Sequence, residues 1–178
     1  MPAMNFAQDH FALLDLPRSY RVDLAELDRR YREVQAKVHP DRHAHLGRSG
    51  DGERRLAMQW STRINEAYQT LRRPISRARY LLELDGIDVD GERTMSSEFL
   101  IRQMEWREAV AEARAALAGD ELEHLHLRLK GEMAPQYQKL QQLFEQSPPA
   151  GAADLLRELM FQEKLLAEID DALSAVEA

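Results

Sequence analysis

The sequence predicts an all-α protein made of two helical modules, and three observations support this prediction. Apolar side chains recur every three or four residues along most of the 178-residue chain, as they do on one face of an α-helix. The sustained alternation of apolar and polar residues that is typical of strands is not found. Charge is unevenly distributed, because residues 1–94 hold 16 basic and 15 acidic side chains whereas residues 95–178 hold 8 and 16.

The first module is predicted to contain four helices, of which the second is basic. A short helical pattern over residues 6–14 ends before Pro17. The second helix follows Asp23, a suitable N-cap with Glu26 three residues later as in a capping box, and it continues to Val38. Its apolar face consists of Leu24, Leu27, Tyr31, Val34 and Val38, and the cations that lie mostly off this face are Arg29, Arg30, Arg32 and Lys37.

Glycines and a proline separate the other helices of this module. Residues 42–52 contain three glycines and are predicted to form a loop. A third helix follows over about residues 53–72, and Pro74 marks its end or the start of a fourth helix that reaches about residue 82. Residues 85–94 are predicted to be a linker, so the first domain is expected to span residues 8–84.

The second domain, residues 95–178, is predicted to be an antiparallel three-helix bundle. Its first helix would begin at Ser96 or Ser97, with a core face of Phe99, Gln103, Trp106, Val110, Ala113 and Leu117. A turn at residues 119–120 leads to a helix that ends near Phe144, with kinks expected at Gly131 and Pro135. The last helix, about residues 154–176, has an apolar stripe that Gln162 interrupts: Leu155, Leu159, Leu166, Ile169, Leu173 and Val176.

The composition excludes several classes of function. The chain has no cysteine, which excludes a thiolate metal site, a cysteine nucleophile and a disulfide scaffold. A net charge of −7 argues against general nucleic-acid binding. No apolar run approaches the roughly 18 residues that a membrane span requires, and no signal peptide or presequence pattern is present. We therefore expect a cytoplasmic protein without a cofactor that binds neither nucleic acid nor membrane.

The turn at His39-Pro40-Asp41 directly follows the basic helix. Pro40 lacks a backbone N–H and disfavours helical geometry at His39, so the helix should end here. An imidazole and a carboxylate would then lie at the end of a cationic helix, because residues 18–48 hold 8 basic and 5 acidic side chains. This pattern indicates a docking feature for a partner protein.

Two other interpretations of this turn remain open. His39, His43, His45 and Asp41 lie within seven residues and could converge on zinc or iron in a metal-dependent enzyme. Their spacing matches no recognised ligand pattern, and no serine lies in a Gly-x-Ser-x-Gly sequence that would support nucleophilic catalysis. An ordinary helix-ending turn without a binding role is the second interpretation.

The turn and its surroundings resemble the J-domain of DnaJ-type co-chaperones. The resemblance comprises the basic helix, His-Pro-Asp-Arg at 39–42, a glycine-containing loop and Ile-Asn-Glu-Ala-Tyr-Gln-Thr-Leu at 64–71. It implies that His39, Pro40 and Asp41 dock on a DnaK-class chaperone and stimulate its ATP hydrolysis, so that this protein is not itself an enzyme. Docking would be supported by Arg29, Arg30, Arg32, Lys37 and Arg42.

The resemblance extends to one branch, the HscB family of iron–sulfur cluster assembly. The segments "LRRPISRARYLLEL" at 71–84 and "FLIRQMEWREAV" at 99–110 are similar to that family, and the match covers nearly the whole chain from about Phe6. Arg42 replaces the lysine common after the motif, and Arg102 interrupts the family's acidic run. The absence of the N-terminal cysteine pairs found in some eukaryotic members indicates a bacterial-type protein.

The resemblance also implies a binding site for the cluster scaffold protein IscU on the second domain. Three apolar residues of its first helix lie partly outside the core face and continue into glutamates, and Phe161 points away from the stripe of its own helix. Periodicity alone leaves open a wide buried face. The resemblance assigns scaffold binding to Leu100, Ile101, Met104, Glu105, Glu108, Glu112 and Phe161.

The sequence therefore leads to the hypothesis of a two-domain co-chaperone. It would deliver IscU to the DnaK-class chaperone HscA and stimulate ATP hydrolysis by HscA. A J-domain protein that serves a different client is the alternative.

Overall fold

The computed structural model describes residues 5, 7–38, 51–91 and 95–176, and these form helices joined by turns with no strand among them. The chain forms two compact units, Met1–Leu81 and Leu82–Ala178. The domain limits expected from the sequence stay predictions. The helices are α1 (His10–Leu13), α2 (Leu24–Val38), α3 (Asp51–Arg72), α4 (Pro74–Leu84), α5 (Ser97–Ala115), α6 (Gly119–Phe144) and α7 (Ala152–Val176).

Helix α2 begins with a side-chain cap. Asp23 Oδ1 accepts hydrogen bonds from the backbone N–H groups of Ala25 at 2.9 Å and Glu26 at 3.4 Å. The Glu26 carboxylate accepts from Arg29 and Arg30. The predicted N-cap is therefore present, and the side chain expected to complete the capping box binds two arginines of its own helix.

Helices α2 and α3 pack together as the core of the first unit. Most of their facing apolar side chains are buried, with two exceptions on the predicted face of α2: Leu24, in its first turn, is 50% exposed, and Tyr31 is half-buried. At the rim, the Tyr31 hydroxyl donates to Asn65 at 2.8 Å and the Tyr68 hydroxyl donates to Asp28 at 2.8 Å. These bonds fix the register of α2 on α3. The buried residues are Leu27, Val34, Val38, Ile64, Ala67 and Leu71.

The second unit is an up-down-up bundle of α5, α6 and α7. Helices α6 and α7 are antiparallel, since His126 lies beside Asp170 and the Tyr137 hydroxyl donates a hydrogen bond to the Glu163 carboxylate. Helix α5 runs parallel to α7, because Phe99 contacts Phe161 and Arg107 lies near Glu168. Helix α6 is continuous from Gly119 to Phe144 with Pro135 inside it. The core of α6 consists of Leu122, Leu125, Leu129, Met133 and Leu140.

Three details of the predicted bundle were wrong. The buried face of α7 includes Leu165 and Ala172, which replace the expected Leu166 and Leu173, and Gln162 lies within it at 4% exposure. The turn expected at 119–120 belongs to α6, which already begins at Gly119. Leu117 lies beyond α5, with φ of +52°, and is 70% exposed, because the chain has left the helix before that position.

The described residues of the predicted linker contact the second unit. The Arg157 guanidinium of α7 donates to the carbonyls of Val89 at 2.7 Å and Asp88 at 3.3 Å. Val89 is only 3% exposed. Gly86 ends α4 with φ of +74°, a conformation that side chains rarely adopt. Among the described residues, no helix is long and apolar enough to cross a bilayer.

Replacing Leu129 with alanine should destabilise the bundle substantially. Leu129 is completely buried, and truncating a buried leucine typically costs about 2–5 kcal/mol through lost burial and the cavity left behind. Leu127 on the same helix is 69% exposed, so Leu127→Ala is the matched control and should change stability by less than about 0.5 kcal/mol. Urea unfolding followed by circular dichroism measures both; equal midpoints would contradict the assigned core face.

Candidate binding surfaces

The basic surface of α2 is partly neutralised by acidic side chains of the same unit. Arg29 contacts Glu26 at 2.5 Å and Glu33 at 2.7 Å. Arg30 contacts Glu26 at 2.9 Å and Asp15 at 2.7 Å. Arginine hydrogen bonds hold the pKa of Glu26 below its usual value, so this carboxylate remains charged at neutral pH. The other two predicted cations of α2, Arg32 and Lys37, are exposed.

The predicted docking turn itself lies outside the described residues. This applies to His39, Pro40, Asp41 and Arg42, and also to the histidines at 43 and 45 that would take part in a metal site. Among the residues that the structure describes, no group of three or more His, Cys, Asp or Glu could hold a metal ion. The three interpretations of the turn, as a docking feature, a metal site or an ordinary helix end, therefore stay predictions.

One face of the second unit exposes large apolar side chains. Met104 of α5 is 70% exposed, Ile101 is 57% exposed and Leu100 is 45% exposed, while Phe161 of α7 is 41% exposed. The predicted core face of α5 is buried over Phe99, Gln103, Trp106, Val110 and Ala113. The apolar residues are therefore additional to the core. The three glutamates expected beside them, Glu105, Glu108 and Glu112, are also exposed.

Phe161 lies against the start of α5. Its ring meets the ring of Phe99 edge-on, with centroids 6.3 Å apart and an interplanar angle of 82°. Aromatic pairs favour this arrangement because the positive edge of one ring faces the negative face of the other. Since Phe99 is buried and Leu100 follows it directly, the contact brings the exposed part of Phe161 to the end of α5 that carries the predicted apolar residues.

Comparisons with known proteins identify the family. A family model described as the HSCB C-terminal oligomerisation domain matches residues 95–170. The co-chaperone protein HscB homolog of Aromatoleum aromaticum is 50% identical over 178 residues, covering 98% of this chain and 99% of that protein. The chain belongs to the HscB family. The HscB homolog of Ralstonia nicotianae is 48% identical over the same shares of the two chains.

Solved HscB structures confirm the predicted fold class. Chaperone HscB from Vibrio cholerae superimposes with a TM-score of 0.80 at 34% identity, covering 92% of this chain and 96% of that one. The human co-chaperone protein HscB gives 0.84 at 33% identity, with coverages of 94% and 83%. The chain therefore has an N-terminal J-domain followed by a C-terminal three-helix bundle, as the resemblance implied.

Sequence reasoning overlooked Glu158, which lies on α7 one turn before Phe161. Burial raises the pKa of this half-buried carboxyl, while the cations Lys139 of α6 and Arg102 of α5 act in the opposite direction. Glutamates at helical spacing are usually surface residues, so periodicity gave no signal for it. Because Glu158 lies near cations of both neighbouring helices, a change in its charge should alter the stability of the HscB bundle.

Glu158→Gln should change the pH dependence of stability. The pKa of Glu158 is higher in the folded state than in the unfolded state, so the folded state holds the proton more tightly. The free energy of unfolding therefore falls as the pH rises from about the usual pKa of 4.5 through the folded pKa. The amide cannot ionise and removes this loss. We expect Glu158→Gln to raise the urea midpoint at pH 7 relative to wild type more than at pH 4. Glu123→Gln, at an exposed position of α6, makes the same change of charge, and an identical pH profile for both variants would contradict the prediction.

Proposed function

We propose that this HscB-family chain delivers the scaffold protein IscU to the DnaK-class chaperone HscA and stimulates ATP hydrolysis by HscA, assisting the maturation of iron–sulfur proteins. The observation that carries the proposal is the exposed face of the C-terminal bundle. Apolar side chains of α5 that are 45–70% exposed stand beside glutamates there, on a helix whose core face is buried separately, and Phe161 of α7 is 41% exposed. Such a patch, apolar with a polar border, is typical of a protein-binding site.

The apolar residues would supply most of the binding energy to IscU. Removing apolar surface from water is favourable by roughly 25 cal/mol per Å², and a few central residues usually dominate an interface. Among the predicted apolar residues of this face, Met104 is the most exposed and Phe161 is the aromatic one. Glu105, Glu108 and Glu112 would orient a basic surface of IscU and accelerate its approach.

The J-domain would act on HscA through His39, Pro40 and Asp41, with support from Arg32, Lys37, Arg42 and the paired arginines of α2. Arg29 and Arg30 already contact acids of their own unit. Arg29 is 51% exposed, and exposed pairs are worth only about 0–1 kcal/mol, so exchanging its partners Glu26 and Glu33 for an acid of HscA costs little. This contribution should weaken as salt concentration rises, because the pairs are solvent-exposed.

The protein would act as an adaptor, and the nucleotide chemistry would take place wholly on HscA. The two proposed sites use residues of different compact units, so IscU and HscA do not compete for the same side chains. Holding both partners on one chain raises the effective concentration of IscU near HscA without any new contact between them. The chain thereby links capture of the client to ATP hydrolysis.

The deciding experiment measures the ATPase rate of HscA in four mixtures: alone, with this protein, with IscU and with both. We expect this protein to stimulate the rate, and the combination to exceed the product of the two separate stimulations. Stimulation without any effect of IscU would instead favour a J-domain protein with a different client. No stimulation under any condition would contradict the proposed function.

A further inference from the structure

Helices α5 and α6 border a cleft that shares only Glu105 with the predicted sites. Its volume is about 220 Å³, and it is lined by Arg102, Glu105, Trp106, Ala109, Leu125 and Arg128. Two guanidinium groups and one carboxylate therefore surround an apolar floor. The cleft adjoins the face proposed to bind IscU, because Glu105 belongs to both.

The guanidinium of Arg128 is held in place by the ring beneath it. Its central carbon lies 4.6 Å from the centroid of Trp106, which is 4% exposed and part of the core face of α5. A cation over an indole face is attracted by the negative electrostatic potential of that face, and the stacked plane limits the rotamers of the arginine. The contact favours a position of the cation over the Trp106 ring.

Each arginine of the cleft has a partner on its own helix, and Arg102 also lies near enough to Glu158 of α7 to lower the pKa of that carboxyl. Arg102 donates to Glu98 at 3.0 Å and Arg128 donates to Glu132 at 3.3 Å, both at i,i+4 spacing. Both arginine side chains are more than half exposed, at 54% and 58%. A guanidinium carries five N–H donors, and exposed helical pairs are weak, so these contacts leave both cations able to bind a further anion.

The charges around α5 follow a fixed order. Met104 and Arg102 are two residues apart and point about 200° from one another at 100° per residue. Glu105 and Glu108 lie between them on the exposed side. A ligand covering this surface meets Met104 first, then Glu108, Ile101 and Glu105 in that order, and then the two guanidiniums of the cleft.

We propose that the cleft binds a carboxylate side chain of IscU, which would fix the register of IscU on the exposed face. The proposal rests on the proposed function, since it takes IscU as the partner. Guanidinium groups bind carboxylates through parallel hydrogen bonds. A cationic cleft beside a row of glutamates also selects for a partner that carries the opposite charges in the same order. A partner shifted by one helical turn would place its acid against a glutamate of α5.

Charge reversal within the cleft tests the proposal. Arg128→Glu and Arg102→Glu are compared with Lys130→Glu, which makes the same charge change at an exposed position of α6 about 200° from Arg128. Titration calorimetry with IscU should give affinities at least about tenfold weaker for each cleft variant and within about twofold of wild type for Lys130→Glu. Arg128→Gln, which keeps the length and removes the charge, should be intermediate and serves if a reversal fails to fold.

A spectroscopic measurement locates the effect. Labelling this protein with 5-fluorotryptophan gives fluorine signals from Trp60 and Trp106 only, and Trp60→Phe assigns them. Adding IscU should shift the Trp106 signal and leave that of Trp60, in the other unit, unchanged.

The cleft proposal is supported if Arg128→Glu weakens IscU binding more than Lys130→Glu does and if the Trp106 signal shifts. The cleft proposal fails and the proposed function stands if IscU binds the wild type, Phe161→Ala weakens this binding, and Arg128→Glu binds IscU as tightly as Lys130→Glu does. If IscU does not bind wild type, the proposed function fails.

Discussion

Asp41→Asn is expected to abolish the stimulation of HscA while leaving the affinity for IscU unchanged. The substitution replaces a carboxylate by an amide of nearly the same size, so it removes the negative charge of the His-Pro-Asp turn without changing its bulk. Charged groups that pair directly across an interface typically lose 2–5 kcal/mol when one partner is removed, which corresponds to about a 30-fold to several-thousand-fold loss of binding. ATPase assays with IscU at saturation measure the first effect, and titration calorimetry with IscU measures the second.

The matched control is Asp171→Asn, the same chemical change at an exposed position of α7 in the other unit. It should stimulate HscA like wild type. Circular dichroism should give the same helical content for both variants, since Asp171 is exposed and each substitution keeps the size of the side chain. Wild-type stimulation by Asp41→Asn would contradict the mechanism and leave the turn as an ordinary helix end.

The helices and most of the core could be predicted because local pattern and tertiary burial agree along α5. Phe99, Gln103, Trp106 and Val110 recur at spacings of four, three and four, and all four are buried as expected. The same periodicity placed Leu100, Ile101 and Met104 partly outside that face, and they are exposed. The capping aspartate before α2 was predictable for the same reason, since an N-cap depends only on neighbouring residues.

Features that need two distant segments were not predictable. Helix α7 offers leucines at 165 and 166, and only packing against α6 decides that Leu165 is buried. The salt bridge of Arg30 with Asp15 joins residues 15 positions apart, so the basic surface of α2 looked more positive in sequence than it is in the folded unit. The contact of Arg128 with Trp106 likewise exists only because α6 packs beside α5.

Combining Met104→Ala with Phe161→Ala is expected to weaken binding of IscU by about 100-fold or more. Hot-spot residues of an interface cost about 2 kcal/mol or more each when truncated, and we expect them to include Met104, the most exposed apolar residue of the proposed site, and its aromatic residue Phe161. Titration calorimetry measures the affinity of the double variant and of each single variant. HscA stimulation in the absence of IscU should stay at the wild-type level, because these residues lie outside the J-domain.

The two single variants separate binding from folding. Phe161 also contacts the ring of Phe99, so Phe161→Ala removes an aromatic pair worth about 0.5–1.5 kcal/mol and should lower the unfolding midpoint slightly. Met104 is 70% exposed, so Met104→Ala should leave the midpoint unchanged and affect only the affinity. Leu127→Ala truncates an equally exposed apolar side chain of α6 outside the proposed site and should bind IscU normally. If Met104→Ala binds as tightly as Leu127→Ala, exposure alone does not mark the site, and the IscU surface must lie on another face of the bundle.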